Sequence, residues 1–577
     1  MELALLGAAA VVLIVAAALF ARRLGIALPL LLVLVGAGLS FIPGMPDLEF
    51  DPEWILVVVL PPLLYSAAVN VPLVDFRRNL TPILGLGVVA VFVSAFATGT
   101  ILYLLLPDLD YAGAVALGAV IGPTDAVAAT SVAKRLGLPH RLVTILEGES
   151  LINDASALVL LRTAIAAVGG ALSFGSMVGQ FAWAAVGGAV VGLVLGWVSV
   201  LLRSRFRDDL LATALSFVVP FVAYIGAEEI QASGVIAVVA AGLLIGHQSA
   251  RRFSARTRLA ERINWRTVQF VLENGIFLLM GYQLYGYGTG VIEDGYELWV
   301  PIGLALLLTV VLIVARAAFV APLLAWLRLG ERNAVARGEQ MEQRVNAVRV
   351  HVGKVAAATD HPEVHRRLRR FELFARRRTA DLDFIRNEGL GWRGGVVITW
   401  AGMRGVVTVA AAQTIPASVP YRPELILIAL VVAVVTLLLG GLTLPPVIRG
   451  LRLRGPDGAD LADERAELLG EIGVISEESL RNPTLTDDDG RPFPTELLDR
   501  VRKELAVLGK AAAQRSAARQ DAGQAQLQRL RERILEVQQS ALLDARSSGA
   551  YSSATINEVQ ALLDSVELRS PGGEGTP

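Results

Sequence analysis

The chain has 577 residues, of which 54% are hydrophobic and only 18% are charged, and its mean hydropathy is +0.56. This composition excludes an ordinary soluble domain and indicates a polytopic membrane protein. The sequence contains no cysteine, which excludes disulfides, thiolate metal sites and a cysteine nucleophile. The net charge of -1 is uninformative, because it averages an apolar part with a polar tail.

Apolar segments follow one another along most of the chain. Taking about 20 apolar residues as the length that crosses a hydrocarbon core of about 30 Å, we predict about thirteen transmembrane helices. The first is interpreted as a retained span, because it follows Glu2 rather than the basic region of a signal peptide. The predicted spans are 3–20, 25–42, 54–70, 79–106, 112–133, 141–168, 178–202, 209–226, 229–247, 266–287, 297–325, 393–415 and 423–448.

Basic residues concentrate in alternate loops, such as those that hold Arg22 and Arg23, Arg77 and Arg78, and the run from Arg251 to Arg266. The intervening loops are acidic. The positive-inside rule therefore predicts that the N-terminus lies outside the cell and the C-terminus in the cytoplasm. The alternation also supports thirteen spans, because one missed span would place basic loops on both sides.

The sequence divides into a membrane domain, 1–449, and a cytoplasmic tail, 450–577, which we predict to be helical. We interpret the tail as regulatory, and the alternatives are a set of helices that stabilises a dimer and a solubilising appendage. A cytoplasmic insert, 328–391, separates the eleventh and twelfth spans. The tail contains neither a phosphate-binding loop nor a cluster of metal ligands. We therefore expect no enzymatic activity, no cofactor and no nucleic-acid partner, and the bilayer is the predicted environment.

The fifth span is interrupted by Gly122-Pro123-Thr124-Asp125. Proline removes an amide donor, and Gly122 lowers the cost of unwinding, so we predict a broken helix at membrane depth. Half-helix ends can coordinate a cation with carbonyl groups and stabilise a carboxylate such as Asp125. The alternative is a simple proline kink packed against its neighbours.

The sixth span carries Glu147, Glu149, Ser150, Asn153 and Asp154. At about 100° per residue these side chains fall within an arc of roughly 160° on one helix face. Ionisable groups at membrane depth are costly, so a polar face on an apolar span indicates a functional site. The alternative is that the carboxylates are structural, each satisfied by an arginine or a backbone donor.

The twelfth span places Arg404 between Gly402 and Gly405, which predicts a second interruption. The fifth and twelfth spans would be counterparts in two repeated units of six spans, and paired interrupted helices indicate a transporter site at the repeat interface. Arg404 can compensate the C-terminal ends of half-helices and pair with an acid of the sixth span. Our candidate for that acid is Glu149, which leaves Asp154 free to titrate.

The tenth and eleventh spans add Glu273, Gln283 and Arg316. Glu273 and Arg316 are too deep to ignore, and the sequence suggests a structural ion pair between them. It assigns neither residue a role in transport.

Three motifs occur in order along the membrane domain: G-P-T-D-A-V-A at 122–128, E-S-L-I-N-D-A at 149–155 and G-M-R-G at 402–405. Together they resemble the sodium/proton exchanger family of the cation/proton antiporters, over about residues 1–450. The resemblance implies an all-α membrane fold with two inverted six-helix repeats and two broken, crossing helices. It also implies a homodimer.

The resemblance also implies roles for individual residues. Asp154 would bind the cation and the proton in turn, and Ser150 and the Thr124 region would supply further oxygen ligands to Na+. Asp125 would act through water or through the helix ends. Asn153 would stabilise the site and mark the electroneutral branch of the family.

In the same way, Glu149 and Arg404 would form a supporting ion pair. The implied function is exchange of a monovalent cation, Na+ first, for H+ across a bacterial cell membrane, serving pH and sodium homeostasis. Exchange of K+, or of both K+ and Na+, is a close alternative. More distant alternatives are a cation channel and an intramembrane aspartyl protease using Asp125 and Asp154, although the G-x-G-D signature of that protease family is absent.

Overall fold

The structure is a computed structural model of the 577-residue chain. It describes residues 2–24, 27–42, 54–168, 174–206, 208–293, 295, 297–358, 389–416, 418–453, 455 and 499. These residues form helices and turns, and no β-strand occurs among them, so the all-α prediction is confirmed. The chain divides into two units, Met1–Gly455 and Pro456–Pro577, and every helix named below belongs to the first.

The helices are numbered in chain order. They are α1 (Glu2–Leu24), α2 (Leu28–Ser40), α3 (Ile55–Asn70), α4 (Leu73–Arg78), α5 (Leu80–Leu105), α6 (Tyr111–Ile121), α7 (Ala126–Arg135), α8 (His140–Ala167), α9 (Phe174–Arg203), α10 (Asp209–Glu228), α11 (Gly234–Arg252), α12 (Ala255–Glu293), α13 (Trp299–Ala358), α14 (Trp392–Trp400), α15 (Val406–Gln413) and α16 (Arg422–Leu451).

Every predicted span overlaps one of these helices, and the fifth and twelfth each overlap a pair, α6 with α7 and α14 with α15. Among the described residues, seven helices are long and apolar enough to cross a membrane, and four more are shorter apolar helices of 10–17 residues. The chain is thus a multi-pass membrane protein. The count of thirteen crossings stays a prediction.

The polar insert begins as a continuation of α13, which extends for 60 residues to Ala358. Its two ends lie close together, because Arg328 Nε donates a hydrogen bond to the carbonyl oxygen of Leu390 at 3.1 Å. The rest of the insert, 359–388, lies outside the described residues. So does the predicted helical tail, apart from residues 450–453, Gly455 and Asp499.

The surface of the helix bundle is apolar. Helix α9, for example, exposes Trp183, Val186, Val190 and Trp197, whereas strongly polar side chains such as Arg404 are buried inside the bundle. This distribution is the reverse of that in a soluble protein and suits a bilayer, where lipid contacts the apolar faces.

Helices α2 and α12 approach each other at glycines. A Cβ atom at Gly36 would overlap the backbone of Leu278, and one at Gly281 would overlap the carbonyl oxygen of Val33. Close packing of this kind stabilises membrane helices, because lipid removes most of the hydrophobic drive for their association. The crossing holds α12, which contributes to the site described below, at a fixed distance from α2.

We expect Gly281→Ala to lower the free energy of unfolding by about 1–3 kcal/mol, because the added methyl group must push the two backbones apart. Thermal unfolding in detergent micelles measures the effect. Gly275→Ala is the matched control, since it adds the same methyl group to the same helix where no atom lies within 4 Å. Equal melting temperatures for the two variants would contradict the role assigned to this crossing.

Candidate functional site

Two helices are broken inside the bundle, as the sequence predicts. Helix α6 ends at Ile121 and α7 begins at Ala126, which leaves Gly122–Asp125 non-helical. Similarly, α14 ends at Trp400 and α15 begins at Val406. Each break creates a carbonyl end and an amide end that need partners within the protein.

The two breaks touch each other through backbone groups. The amide of Asp125 donates a hydrogen bond to the carbonyl oxygen of Met403 at 2.7 Å. Gly405 lies against the side chain of Asp125, and a Cβ atom there would overlap its carboxyl group, so only glycine fits. Asp125 directly precedes α7 and Gly405 directly precedes α15. The carboxylate therefore lies near the N-termini of two half-helices, whose dipoles favour a negative charge.

Arg404 donates hydrogen bonds to the carbonyl ends of the broken helices. Its side chain is buried, its Nε donates to the carbonyl oxygen of Ile121 at 2.9 Å, and its Nη1 donates to the carbonyl oxygen of Gly402. Its own amide donates to Thr436 Oγ1 on α16 at 3.1 Å. The guanidinium thus lies at the carbonyl ends of α6 and α14, the compensating position that the sequence predicted for it.

The structure corrects the predicted partner of Glu149. Its carboxylate forms a bidentate ion pair with Arg316 of α13, at 2.6 Å between Nη1 and Oε1 and 2.9 Å between Nη2 and Oε2. Arg316 Nε also donates to the carbonyl oxygen of Ile398 at 3.0 Å. The predicted pairs Glu149–Arg404 and Glu273–Arg316 are therefore wrong. The reason is that backbone carbonyls accept from Arg404, while α13 brings Arg316 onto Glu149.

Thr124 and Asn153 link the first break to α8. Thr124 Oγ1 donates to Glu149 Oε1 at 2.8 Å, and Asn153 Nδ2 donates to both the carbonyl oxygen and Oγ1 of Thr124, at 2.9 and 2.8 Å. Asn153 Oδ1 is buried and accepts no hydrogen bond within the described residues. The hydroxyl of Thr124, predicted as a cation ligand, is thus engaged by Glu149 and Asn153.

A cavity of about 80 Å³ lies beside the breaks and is lined by both apolar and polar side chains. It is large enough for a few waters or for a small ion with part of its hydration shell. Asp125, Ser150 and Asp154, three of the predicted site residues, share this cavity, whereas Thr124 and Asn153 are not among its lining residues. Asp154 makes no hydrogen bond or ion pair to any residue that the structure describes.

Three polar residues of the cavity were not assigned to it from the sequence. They are Gln269 and Glu273 of α12 and Thr408 of α15. The spacing of Gln269 and Glu273, one helical turn apart in an apolar span, is the signal that could have identified them. Thr408 gives no such signal, because a single threonine in a membrane helix commonly bonds to its own backbone.

Among the described residues that line the cavity are three carboxyl groups, those of Asp125, Asp154 and Glu273, and no lysine, arginine or histidine. Several negative charges in a low-dielectric site repel one another and lose their hydration. Charge balance in this cavity therefore requires protons or a bound cation.

A family model described as "Sodium/hydrogen exchanger, transmembrane" matches residues 9–358 and 371–450. The chain belongs to the sodium/hydrogen exchanger family. This family is one of membrane transporters, and its match spans both broken helices and the cavity.

Similarity to individual proteins supports the assignment of this chain to the exchanger family. An Na+/H+ exchanger of Mycobacterium tuberculosis, named as uncharacterised, is 30% identical over 96% of this chain and 94% of its own length. A sodium, potassium, lithium and rubidium/H+ antiporter of Bacillus pumilus is 27% identical over 72% of this chain and 57% of its own. The structure of the sodium proton antiporter MjNhaP1 from Methanocaldococcus jannaschii at pH 8 has a TM-score of 0.56 and 18% identity. The structural match covers 79% of this chain and 100% of the MjNhaP1 chain, which shows that the two proteins have a common fold.

Double-mutant cycles distinguish the predicted from the observed partner of Glu149 in the exchanger. Glu149→Gln and Arg316→Gln should each lower the free energy of unfolding by about 3–5 kcal/mol, because each leaves a buried charge unpaired. The double variant should lose much less than the sum of the two. The same cycle with Arg404→Gln should show far weaker coupling.

Chemical unfolding in detergent micelles provides the four free energies of each cycle. The matched control is the Arg162–Glu228 pair, at 2.5 Å with side chains 51% and 27% exposed. Its removal by Arg162→Gln should cost about 1 kcal/mol or less, as for other exposed pairs. Stronger coupling of Glu149 to Arg404 than to Arg316 would contradict the observed pairing.

Proposed function

We propose that this exchanger carries one monovalent cation, Na+ first, in one direction and one H+ in the other. The observation that carries the proposal is the cavity at the two breaks, which Asp154 lines together with Asp125 and Ser150, and where no basic residue occurs among the lining side chains that the structure describes. Asp154 is the group for which the two ions compete. The transported cation is the substrate, and the scheme requires no cofactor.

Competition for one carboxylate makes the exchange obligatory. Burial disfavours a bare negative charge, and either a bound cation or a bound proton neutralises Asp154. The neutralised site can pass through the low-dielectric interior at low cost, whereas the empty charged site stays where it is. Ser150 and Asp125 supply further oxygens to the cation, Asp125 through water or through the helix ends beside it.

Asn153 bears on the stoichiometry. It is buried next to Asp154 and donates two hydrogen bonds to Thr124. A neutral amide at this position adds no second titrating charge, so one cation exchanges for one proton. Exchange is then electroneutral and its equilibrium does not depend on the membrane potential.

The hydrogen bonds around the site suggest which parts move together. Hydrogen bonds connect Asp125 to Met403, Arg404 to Ile121, and Asn153 to Thr124. These bonds join the two broken helices and α8 into one group, which consists of α6, α7, α8, α14 and α15. The opposite wall of the cavity belongs to α3 and α12. We assign alternating access to movement of the first group against the second, with the breaks carrying the ion.

The cellular setting follows from the sequence and from the family. Basic residues in alternate loops support a cytoplasmic C-terminus and an external N-terminus, we assign the chain to the inner membrane of a bacterium, and the family resemblance supports a homodimer. The exchange would serve pH and sodium homeostasis. K+ is the second candidate cation, because the Bacillus pumilus relative is named as a sodium, potassium, lithium and rubidium antiporter.

The first prediction from this proposal concerns Asp154. Addition of Na+, Li+ or K+ to proteoliposomes should release protons in the wild type, and Asp154→Asn should reduce the flux to that of empty liposomes, because an amide cannot exchange a proton for a cation. A fluorescent pH indicator records the flux.

Glu147→Gln is the control for removal of a carboxylate from α8 outside the cavity. Glu147 pairs with Lys134 at 2.7 Å, with side chains 26% and 64% exposed. Such a pair contributes about 1 kcal/mol or less, so this variant should retain most of the flux. Persistent proton release in Asp154→Asn, or none in the wild type with any of the three cations, would refute the proposal.

The second prediction concerns the membrane potential. When voltage is imposed on wild-type proteoliposomes with a potassium ionophore, the Na+ and H+ gradients at which net flux stops should not change, because no net charge crosses. The reversal point is measured at several imposed voltages. A reversal point that shifts systematically with voltage would exclude one-for-one exchange while leaving antiport intact.

A further inference from the structure

Glu273 is the one carboxyl group of the cavity to which the exchange scheme assigns no role. It lies on α12, is 9% exposed, and lines the same cavity as Asp125 and Asp154. A buried carboxyl group at membrane depth is costly unless it binds something, so its position requires an explanation.

No basic residue within the described part of the chain pairs with Glu273. Its one hydrogen bond comes from Gln269 Nε2 to Oε2 at 3.5 Å, which is long, and its Oε1 accepts none. The two buried guanidinium groups of the site are engaged elsewhere, Arg316 with Glu149 and Arg404 with the carbonyls of the broken helices. Glu273 therefore has an oxygen available to the contents of the cavity.

The position of Glu273 complements the predicted ligands. Ser150 and Asp154 line the cavity from α8 and Asp125 from the break directly before α7, whereas Glu273 and Gln269 line it from α12. Small, hard cations bind oxygen ligands arranged on several sides. Without Glu273, the charged ligands available to a cation on Asp154 would come only from α8 and from the break before α7.

We propose that Glu273 is a cation-binding residue that determines cation selectivity, by supplying a carboxylate oxygen from α12 to the cation held by Asp154. The attraction between a carboxylate and a cation strengthens as their separation falls, so a second carboxylate favours small ions over large ones. Glu273 thus favours Na+ and Li+ over K+. Because α12 lies outside the group of helices assigned to carry the ion, Glu273 is not transported with the site, and the one-for-one stoichiometry is unchanged. The inference rests on the proposed exchange function.

Calorimetric titration of the purified full-length chain with NaCl, LiCl and KCl tests this directly, without transport. Glu273→Gln should raise the Kd for Na+ and Li+ about tenfold, and that for K+ less than about threefold, where tenfold corresponds to 1.4 kcal/mol. The KM for each cation in proteoliposomes should follow the same order, with a maximal rate close to that of the wild type. Glu273→Asp, which keeps the charge on a shorter side chain, should recover part of the Na+ affinity.

Glu147→Gln is the matched control and should leave the three Kd values unchanged. Glu273→Gln with the same Na+ affinity as this control would overturn the inference and leave the exchange proposal standing. An equal rise of Kd for all three cations would overturn the selectivity role. Failure of the wild type both to bind any of the cations and to release protons would instead refute the exchange function itself.

A purely structural role of Glu273 predicts a different pattern. Glu273→Gln would then lower the yield of folded protein and the maximal rate, without a change in the KM ratio of Na+ to K+. If Glu273→Gln does not fold, the Na+ to K+ ratio of Glu273→Asp decides. An unchanged ratio in that variant overturns the inference, and a shifted ratio supports it.

Discussion

The structure around the cavity depends on the need to satisfy the backbone groups that two broken helices expose inside a membrane. Water is scarce there, so every free carbonyl and amide must find a partner in the protein. Arg404 donates to the carbonyls of Ile121 and Gly402, and the amide of Asp125 donates to Met403. With the carbonyl ends covered in this way, the amide ends of α7 and α15 are the ones that lie beside Asp125.

The same arrangement separates two groups of charges. Glu149 and Arg316 form a bidentate ion pair. Thr124 donates a hydrogen bond to Glu149, and Asn153 donates one to Thr124. Asp154 lines the neighbouring cavity, whose described lining residues include three acids and no basic side chain. A direct arginine partner would fix Asp154 in its charged form and remove the competition between ions. The ion pair therefore stabilises the fold and leaves Asp154, the carboxylate to which we assign the exchange, without a basic partner among the described residues.

Two π-helical turns adjoin this region. One, Ile55–Val59, opens α3 immediately before Leu60, which lines the cavity. The other, Gly85–Val89, lies in α5, where Gly87 packs so closely against Ile152 and the amide of Asn153 that a Cβ atom would overlap them. Turns of this type shift the helix register by one residue and occur often at functional sites. The second turn lies where α5 packs against α8, beside Asn153.

The sequence alone determined the features that are local. Hydropathy predicted an all-α membrane protein, Gly122-Pro123 and the glycines around Arg404 predicted the breaks, and the helical period brought Ser150 and Asp154 to one face. The tertiary structure decided which groups meet across helices. Glu149 and Arg316 are 167 residues apart, and spacing cannot rank Arg316 against Arg404 as a partner, because both are buried arginines of equal charge. Only the packing of α12 against the broken helices places Glu273 in the cavity.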